Sequence, residues 1–208
     1  MKKFAFIVVT VLSSFASSFA QTEKKPELFA GYSLESVDTG ITSSDLGTVT
    51  TLDNRFKANG FHLSATGYFT KRFGVTADFS AHFQNRTDLF GATTGASKVS
   101  LYNITGGPQI RFPTTNRFTP FVQALAGLAR RNFTETIGST STSYSDNPTS
   151  FAMNLGGGID YKLNSRFAWR ILQFDYNPIF LRSRTVNTIA IPDRTLRGFR
   201  FSTGIVIK

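Results

Sequence analysis

The sequence predicts an all-β fold, an eight-stranded antiparallel up-and-down transmembrane β-barrel, from three observations. Apolar and polar residues alternate through about eight segments of strand length, as they do when the two faces of a strand differ in polarity. The connections between these segments are alternately long and short, which places all the long loops at one end of a barrel. The 208 residues include 22 Phe and only 17% are charged, a composition typical of lipid-facing strands.

The clearest pair of strands is a predicted hairpin over residues 61–83. Each of its strands approaches the ~9–11 residues that cross a bilayer. A short polar turn over residues 70–72 joins them. The apolar row consists of Phe61, Leu63, Ala65, Gly67, Phe69, Phe73, Val75, Ala77, Phe79, Ala81 and Phe83.

Six further segments continue the same alternation. Together with the hairpin they make eight strands, an even number of the kind found in single-chain bacterial barrels. The longer connections are rich in Ser, Thr, Asp or Gly and are predicted to be loops. The six strands are predicted at residues 27–35, 98–112, 118–131, 151–162, 166–177 and 196–208, and the four long loops at residues 36–57, 84–97, 132–148 and 178–196.

The N-terminus has the three parts of a secretory signal peptide. Lys2 and Lys3 are basic, residues 4–12 are apolar, and a small-x-small cleavage site follows. The apolar run is well short of the ~20 residues of a membrane-spanning helix. We therefore expect residues 1–20 to be a signal peptide and residues 21–208 to form the barrel domain. The chain has no cysteine, so the sequence excludes disulfides and lipid attachment through Cys.

Aromatic residues indicate which face of the strands lies outside. Six of them flank the three short turns, and all six lie on the apolar row. Large rings around one end of a barrel's outer face are favoured at a membrane–water interface. The polar row is mostly Gly, Ser, Thr and Asn, which suits a barrel interior better than a surface. The predicted interface aromatic girdle is Phe69, Phe73, Phe112, Phe118, Tyr161 and Phe167.

Charged residues on the polar row predict a charge cluster in the lumen. An eight-stranded barrel is just wide enough for side chains to fill its interior. Charges there must pair or hydrogen-bond, because an isolated buried ion is very costly. A structural plug is therefore expected, and the alternative is a narrow ion path. The predicted lumen charge cluster is Asp78, Arg111, Asp160, Arg170, Asp175 and Arg200.

Two irregularities in the pattern predict β-bulges. Arg170 and Gln173 lie on opposite faces of a regular strand, and a bulge near Ile171 and Leu172 would turn both inward. Pro108 cannot donate to a sheet ladder, and a closed barrel has no edge strand to accommodate it. We therefore expect a second bulge at Pro108.

The only pair resembling a catalytic arrangement is Asp78 and His82. On one strand, a separation of four residues places them ~13 Å apart, too far for a direct hydrogen bond. Two histidines without a nearby carboxylate cluster also argue against a metal site. The sequence therefore predicts no enzymatic activity, no metal site and no cofactor.

A basic cluster lies in and beside the last long loop. Arginine binds phosphate in a bidentate manner, so these residues are a candidate phosphate-binding rim for lipopolysaccharide. A solvated rim of basic residues explains them equally well. The four residues are Arg182, Arg184, Arg194 and Arg197.

Four segments carry a resemblance to a known family: FAGY at residues 29–32, TPFVQALAG at 119–127, FAMNLGGGID at 151–160 and FAWRILQFDYNP at 167–178. With them the chain resembles the OmpA-like eight-stranded outer-membrane β-barrel family over its whole mature length. The resemblance implies a position in the outer membrane of a Gram-negative bacterium. We expect no peptidoglycan-binding domain after the barrel and therefore no role in anchoring to the cell wall.

These observations predict a non-enzymatic outer-membrane barrel with a structural or surface-interaction role, carried by four extracellular loops. The alternative is a narrow channel or a carrier of small apolar molecules. Expected partners are membrane lipid, including lipopolysaccharide, and an extracellular partner bound by the loops. The net charge of +10 includes Lys2 and Lys3 of the signal peptide, so 10 − 2 leaves +8 on the exported chain. In an exported protein this charge favours phosphate-rich membrane surfaces over nucleic acid. We expect a monomer.

Overall fold

The computed structural model describes residues 26–38, 55–90, 93–114, 117–137, 140–142, 149–181, 184–186, 189–191 and 194–208. The predicted signal peptide lies outside these residues. In chain order the strands are β1 (Glu27–Asp38), β2 (Arg55–Tyr68), β3 (Phe73–Phe90), β4 (Thr93–Arg111), β5 (Phe118–Ile137), β6 (Thr140–Thr142), β7 (Ser150–Lys162), β8 (Phe167–Leu181), β9 (Arg184–Val186), β10 (Ile189–Ile191) and β11 (Arg194–Ile207).

Eight of these strands form a closed antiparallel ring in the described part of the chain. Each pairs with the next along the chain, from β1 through β5 to β7, β8 and β11, and the β1–β11 pairing closes the ring. The three-residue strands β6, β9 and β10 lie outside it, β6 paired with β5 and β9 with β10. The predicted eight-stranded up-and-down barrel is confirmed. No helix suited to spanning a membrane occurs among the described residues.

Side-chain hydrogen bonds fix two of the short turns. Thr70 Oγ1 accepts hydrogen bonds from the backbone N–H groups of Arg72 (3.2 Å) and Phe73 (2.8 Å). Asn164 Oδ1 accepts from those of Arg166 and Phe167, both at 2.8 Å. Short side chains that bond the backbone two and three residues on favour tight turns, so these residues set the register of the two hairpins.

The strands extend further into the predicted long loops than the sequence pattern indicated. The β3–β4 ladder continues to the pair Phe90 and Thr93, so the loop predicted at residues 84–97 is largely strand. Strand β5 reaches Ile137 and pairs there with β6. Backbone pairing does not require an apolar row, and Thr-rich segments have good strand propensity. The alternation marks only the part of a strand that has one apolar face.

One of the two predicted bulges is present. Asp160 pairs with Arg170 while Ile159 pairs with Leu172, so Ile171 is an extra residue in β8. The β8–β11 register shifts at the same level, and both Arg170 and Gln173 are buried inside the barrel, as predicted.

The bulge expected at Pro108 is absent, and that prediction is wrong. Pro108 pairs with Val75 of β3 in unbroken register. On the β5 side the ladder has no partners for Gly107 and Pro108, yet the same register resumes at Gln109. The missing proline N–H is therefore accommodated by a gap in the ladder, which needs no inserted residue.

The apolar row faces outward along the strands. Phe69 is 59% exposed and Leu128 is 53% exposed, whereas the charged Arg200 and Asp175 are fully buried inside. The interior is polar in the middle and apolar near the long-loop end, where six inward-facing side chains form one cluster. These are Val37, Leu101, Ala129, Ala152, Ile179 and Leu196.

Candidate functional site: the polar network inside the barrel

Arg200 lies at the centre of the lumen and joins two carboxylates. It is on β11, and its Nη1 and Nη2 donate to Asp78 Oδ1 and Oδ2, both at 3.0 Å. Because β1 and β2 separate β11 from β3, this bidentate contact reaches across the barrel. Nη2 and Nε of Arg200 also donate to Asp175 Oδ2 on the adjacent β8, at 2.9 and 3.1 Å. All three residues are buried, so the ion pairs are screened little by solvent.

Asp175 is held by two amides as well as by Arg200. Gln123 Nε2 donates to Asp175 Oδ1 at 3.0 Å, and Gln173 Nε2 donates to Oδ2 at 2.7 Å. The carboxylate has this position because residue 156 on the adjacent strand is Gly. A Cβ at Gly156 would lie 2.4 Å from Asp175 Oδ1 and 2.2 Å from the Phe174 carbonyl oxygen.

Arg170 and Asp160 form a second buried ion pair toward the short-turn end. Nε and Nη2 of Arg170 donate to the two Asp160 oxygens at 2.8 and 3.2 Å. Its Nη1 donates to Gln173 Oε1 at 2.8 Å, which links this pair to Asp175. The guanidinium also lies over the rings of Phe29 and Phe121, with centroid distances of 4.5 and 4.2 Å. These cation–π contacts lie in an interior with little water and stabilise the buried guanidinium of Arg170.

Both histidines of the chain point into the lumen, each beside a carboxylate. His62 Nε2 lies 2.5 Å from Asp78 Oδ2, and His82 Nδ1 lies 2.6 Å from Glu35 Oε2. The His82–Glu35 contact is an ion-pair distance without hydrogen-bond alignment. Glu35 Oε1 also accepts from Asn177 Nδ2 at 2.9 Å. The sequence analysis considered Asp78 and His82 as a pair. In the structure Asp78 lies beside His62, and His82 lies beside Glu35.

Two serines connect the histidines. His82 Nε2 is 2.9 Å from Ser33 Oγ, Ser33 Oγ is 3.0 Å from Ser202 Oγ, and Ser202 Oγ is 3.1 Å from His62 Nδ1. Ser33 and Ser202 are direct cross-strand partners on β1 and β11. We call His82, Ser33, Ser202 and His62 the Ser–His row.

Arg111 lies apart from the rest of the predicted charge cluster. It is at the short-turn end, 22% exposed at its side chain, and its Nη1 donates to Glu27 Oε1 at 2.8 Å. Its guanidinium lies 3.8 Å from the Tyr68 ring centroid, and Lys208 Nζ is 3.4 Å from the same Glu27 oxygen. Its partner is therefore Glu27 and not an interior Asp, because Arg111 is the last residue of β4 and lies level with the start of β1.

The other predicted sites lie on the outer surface or beyond the described side chains. Five of the six girdle residues are exposed beside the short turns, and Tyr161 is half-buried with its ring 5.1 Å from that of Phe118. Of the candidate phosphate-binding rim, Arg182 lies outside the described residues. Arg184 and Arg194 are described only as strand positions, and Arg197 is exposed.

The network includes polar residues that the sequence analysis did not select. They lie on the inward row of their strands, so their parity was the available signal. In the described part of the chain, no group of three or more His, Cys, Asp or Glu side chains is arranged to hold a metal ion. The additional members are Ser33, Glu35, His62, Asn103, Gln123, Gln173, Asn177 and Ser202.

Comparisons with known proteins place this geometry in context. The sequence profile described as outer membrane protein beta-barrel domain matches residues 4–185. A search of curated protein sequences finds no match.

Three solved structures with similar folds have low sequence identity to the chain. Neisserial surface protein A (NspA) is 14% identical with a TM-score of 0.52, covering 88% of this chain and 96% of that one. Ail, the attachment invasion locus protein of Yersinia pestis, in complex with the heparin analogue sucrose octasulfate, is 14% identical with a TM-score of 0.51, covering 87% and 97%. The outer membrane protease OmpT of Escherichia coli is 8% identical with a TM-score of 0.50, covering 89% and 97%. At these identities the likeness concerns the fold alone.

Proposed function

The chain belongs to the family of outer membrane protein beta-barrel domains and lies in the outer membrane of a Gram-negative bacterium; from this premise we propose that it is a non-enzymatic, non-conducting barrel with a structural and surface-interaction role. In this proposal residues 1–20 are the cleaved leader and residues 21–208 form the barrel. The observation that carries the proposal is the cross-lumen contact of Arg200 with Asp78 and Asp175, all fully buried.

The filled lumen supports the absence of conduction. Ion pairs and amides from β3, β5, β8 and β11 meet at the level of Arg200. The apolar cluster that includes Val37, Leu101 and Leu196 lies between this level and the long loops. Passage of a hydrated solute would require breaking a buried ion pair and wetting an apolar layer, both of which are costly.

Burial also argues against catalysis. Ser33, His82 and Glu35 are the residue types of a nucleophile, a base and an orienting acid, and the Ser33–His82 distance of 2.9 Å suits proton transfer. Yet all three are at most 1% exposed, so a substrate has no approach to the hydroxyl. The likeness to OmpT supplies no argument for proteolysis, because it concerns the fold alone.

The distribution of charge supports an anionic surface partner. Every Asp and Glu whose side chain is described is buried, whereas all exposed charges among those residues are cationic. Cations at both ends of the barrel match the phosphates of the two membrane surfaces. At the long-loop end the exposed cations are Lys57, Lys98, Arg131 and Arg197, and at the short-turn end they are Lys71, Arg72, Arg117, Lys162 and Arg166.

Planar bilayers containing the purified barrel are expected to show no sustained step conductance. The physical reason is that Arg200 and its two carboxylates form buried ion pairs across the lumen, which ions would have to break to pass. Bilayers without protein provide the baseline, and circular dichroism of the same sample verifies that the inserted protein is folded. A stable conductance of the size of an open pore would instead favour the channel or carrier alternative.

Removing cations at the long-loop end should weaken binding of lipopolysaccharide. The variant combines Lys57→Gln, Lys98→Gln and Arg197→Gln, three exposed residues on β2, β4 and β11. Each Lys or Arg near an anionic membrane surface contributes about 1 kcal/mol, so the loss of three cations should weaken binding by about two orders of magnitude. Binding of lipopolysaccharide to the barrel in bilayers that carry lipopolysaccharide only in the leaflet at the long-loop end measures the effect.

The matched control removes three cations from the opposite end, by Lys71→Gln, Arg72→Gln and Arg166→Gln. Its change in net charge is identical, but lipopolysaccharide occupies only the outer leaflet and does not reach these positions. The control should therefore bind as the parent does. Equal weakening by both variants would show that net charge, not the long-loop rim, governs binding and would contradict this part of the proposal.

A further inference from the structure

The Ser–His row has three hydrogen-bond contacts, but only two hydrogens are available for them when both histidines are neutral. Its three contacts, at 2.9, 3.0 and 3.1 Å, join a ring nitrogen of His82, the hydroxyls of Ser33 and Ser202, and a ring nitrogen of His62. Each hydroxyl carries one hydrogen. A neutral imidazole carries one N–H. In His62 that hydrogen lies on Nε2 and is directed at Asp78, and in His82 it lies on Nδ1, because a bare ring nitrogen 2.6 Å from the Glu35 carboxylate oxygen would be repelled by it. Two hydrogens then remain for three contacts.

One additional proton supplies the missing hydrogen. With an imidazolium at one end, both of its ring nitrogens carry a hydrogen, and each hydroxyl donates its own hydrogen to the next atom along the row. The Ser33 hydroxyl also lies 3.3 Å from the Phe201 carbonyl oxygen, a second acceptor that increases the demand for hydrogens. The row therefore needs at least one proton beyond the neutral state.

Charge balance in the lumen points the same way. Among the described side chains in the middle of the lumen, four carboxylates are buried, Glu35, Asp78, Asp160 and Asp175, but only two guanidiniums, Arg170 and Arg200. The buried Glu27 lies at the short-turn end, where Arg111 and Lys208 pair with it. With neutral histidines the buried charge is four negative against two positive, an excess of two negative charges. Unbalanced buried charge is strongly unfavourable, so a proton on an imidazole is stabilised by the lumen as a whole.

The groups around the two imidazole rings determine which ring carries the additional proton. Asp78, beside His62, already accepts two hydrogen bonds from Arg200 at 3.0 Å, and that guanidinium repels a second cation. Glu35, beside His82, accepts from two amides among the described side chains, Asn177 at 2.9 Å and Asn103 at 3.5 Å. Arg200 acts on Glu35 through space without donating to it, so of the two carboxylates Glu35 gains more from an adjacent imidazolium.

We propose that the Ser–His row is a buried proton-binding site: His82 is an imidazolium paired with Glu35, and His62 is neutral. In this arrangement His82 Nε2–H donates to Ser33, Ser33 donates to Ser202, and Ser202 donates to His62 Nδ1. His62 Nε2–H then donates to Asp78. Each of the three contacts in the row receives one hydrogen, and the longer 3.3 Å approach of Ser33 Oγ to the Phe201 carbonyl oxygen receives none.

Nitrogen-15 NMR of the histidine rings tests the proposal directly, because the chain has only two histidines. In the folded barrel in lipid at pH 7.5, one ring should show two protonated nitrogens and the other one protonated and one bare nitrogen. The variant His82→Gln should remove the doubly protonated ring and leave the neutral one. Two neutral rings, or a doubly protonated ring that persists in His82→Gln, would overturn the assignment.

Serine variants test the row as a unit. Ser33→Ala removes the acceptor of His82 Nε2–H, so the doubly protonated signal at pH 7.5 should fall to about half or less. Ser80→Ala is the matched control, since Ser80 is also fully buried on the inner face and its hydroxyl has no hydrogen-bond partner among the described residues. It should leave both ring spectra unchanged. Loss of the signal in both variants would indicate a general effect of altered packing and contradict the row. The parent spectrum still decides the proposal if a variant does not fold.

Discussion

Replacing Arg200 by Met is expected to destabilise the folded barrel by about 3–5 kcal/mol, the range typical of breaking a buried ion pair by removing one partner. Arg200 is fully buried and its guanidinium contacts both Asp78 and Asp175 within 3.1 Å. Without it, two carboxylates remain in the lumen with only His62 and amide donors beside them. Urea titrations of the barrel in lipid vesicles measure the change in the free energy of unfolding.

Two further variants separate the ion pair from a general effect of losing arginine. Arg117→Met removes an exposed guanidinium beside a short turn, where the loss should stay within about 0.5 kcal/mol. Combining Arg200→Met with Asp78→Asn and Asp175→Asn removes all three charges, and much of the lost stability should return because no carboxylate is left uncompensated. Equal losses for Arg200→Met and Arg117→Met would contradict the central role of Arg200.

The fold could be predicted from the sequence because two simple patterns agree. The period-2 alternation marks each strand that has lipid on one side, and the alternation of long and short connections orders the strands into one ring. Even the extra residue Ile171 in β8 follows from the sequence, since Arg170 and Gln173 both need to face inward. The ends of the strands could not be predicted in this way. Beyond Phe83 the sequence of β3 and β4 lacks the apolar–polar alternation, and the ladder continues to Phe90 and Thr93 without a pattern to mark it.

The membership of the interior network could be read from strand parity, but the partners could not. His62 meets Asp78 because the β2–β3 register pairs Ser64 with Asp78, which makes His62 a diagonal neighbour. Diagonal residues lie ~7–8 Å apart at their backbones, close enough for long side chains to meet. Comparing Asp78 with His82 along one strand considers the wrong geometry, because residues four apart on a strand are farther from each other than diagonal neighbours.

Contacts that depend on closure of the barrel are the hardest to foresee. Ser33 and Ser202 are separated by 169 residues and meet only because the first and last strands pair. The sequence pattern also does not give the position of a residue along the barrel axis. Arg111 has inward parity like Arg200, but it lies at the short-turn end and pairs with Glu27. Parity gives the face of a residue, whereas the level of that residue depends on the tilt and stagger of the strands.

Placing Arg at Ala77 is expected to destabilise the folded barrel by ~2–4 kcal/mol, the cost of an arginine near the bilayer midplane on the lipid face of a barrel. Ala77 lies on the outward row of β3 between Phe73 and Phe83, which are both exposed. At ~3.3 Å per residue and a tilt near 40°, the ten-residue distance between these rings spans roughly 25 Å, the height of the apolar band of such barrels. Ala77 is therefore far from either membrane surface, and its guanidinium would need to bend toward water through lipid.

Ser141→Arg is the control for the same substitution outside the bilayer. Ser141 belongs to β6, which pairs with the end of β5 and lies outside the ring of eight strands, so the change should be near neutral. Folding titrations of both variants into lipid vesicles give the two free energies directly. A large loss at Ala77 with none at Ser141 follows from an outer face surrounded by hydrocarbon. Equal costs at the two positions would mean that the row of Phe73, Ala77 and Phe83 does not face lipid, because only a low-dielectric surrounding makes an exposed arginine expensive.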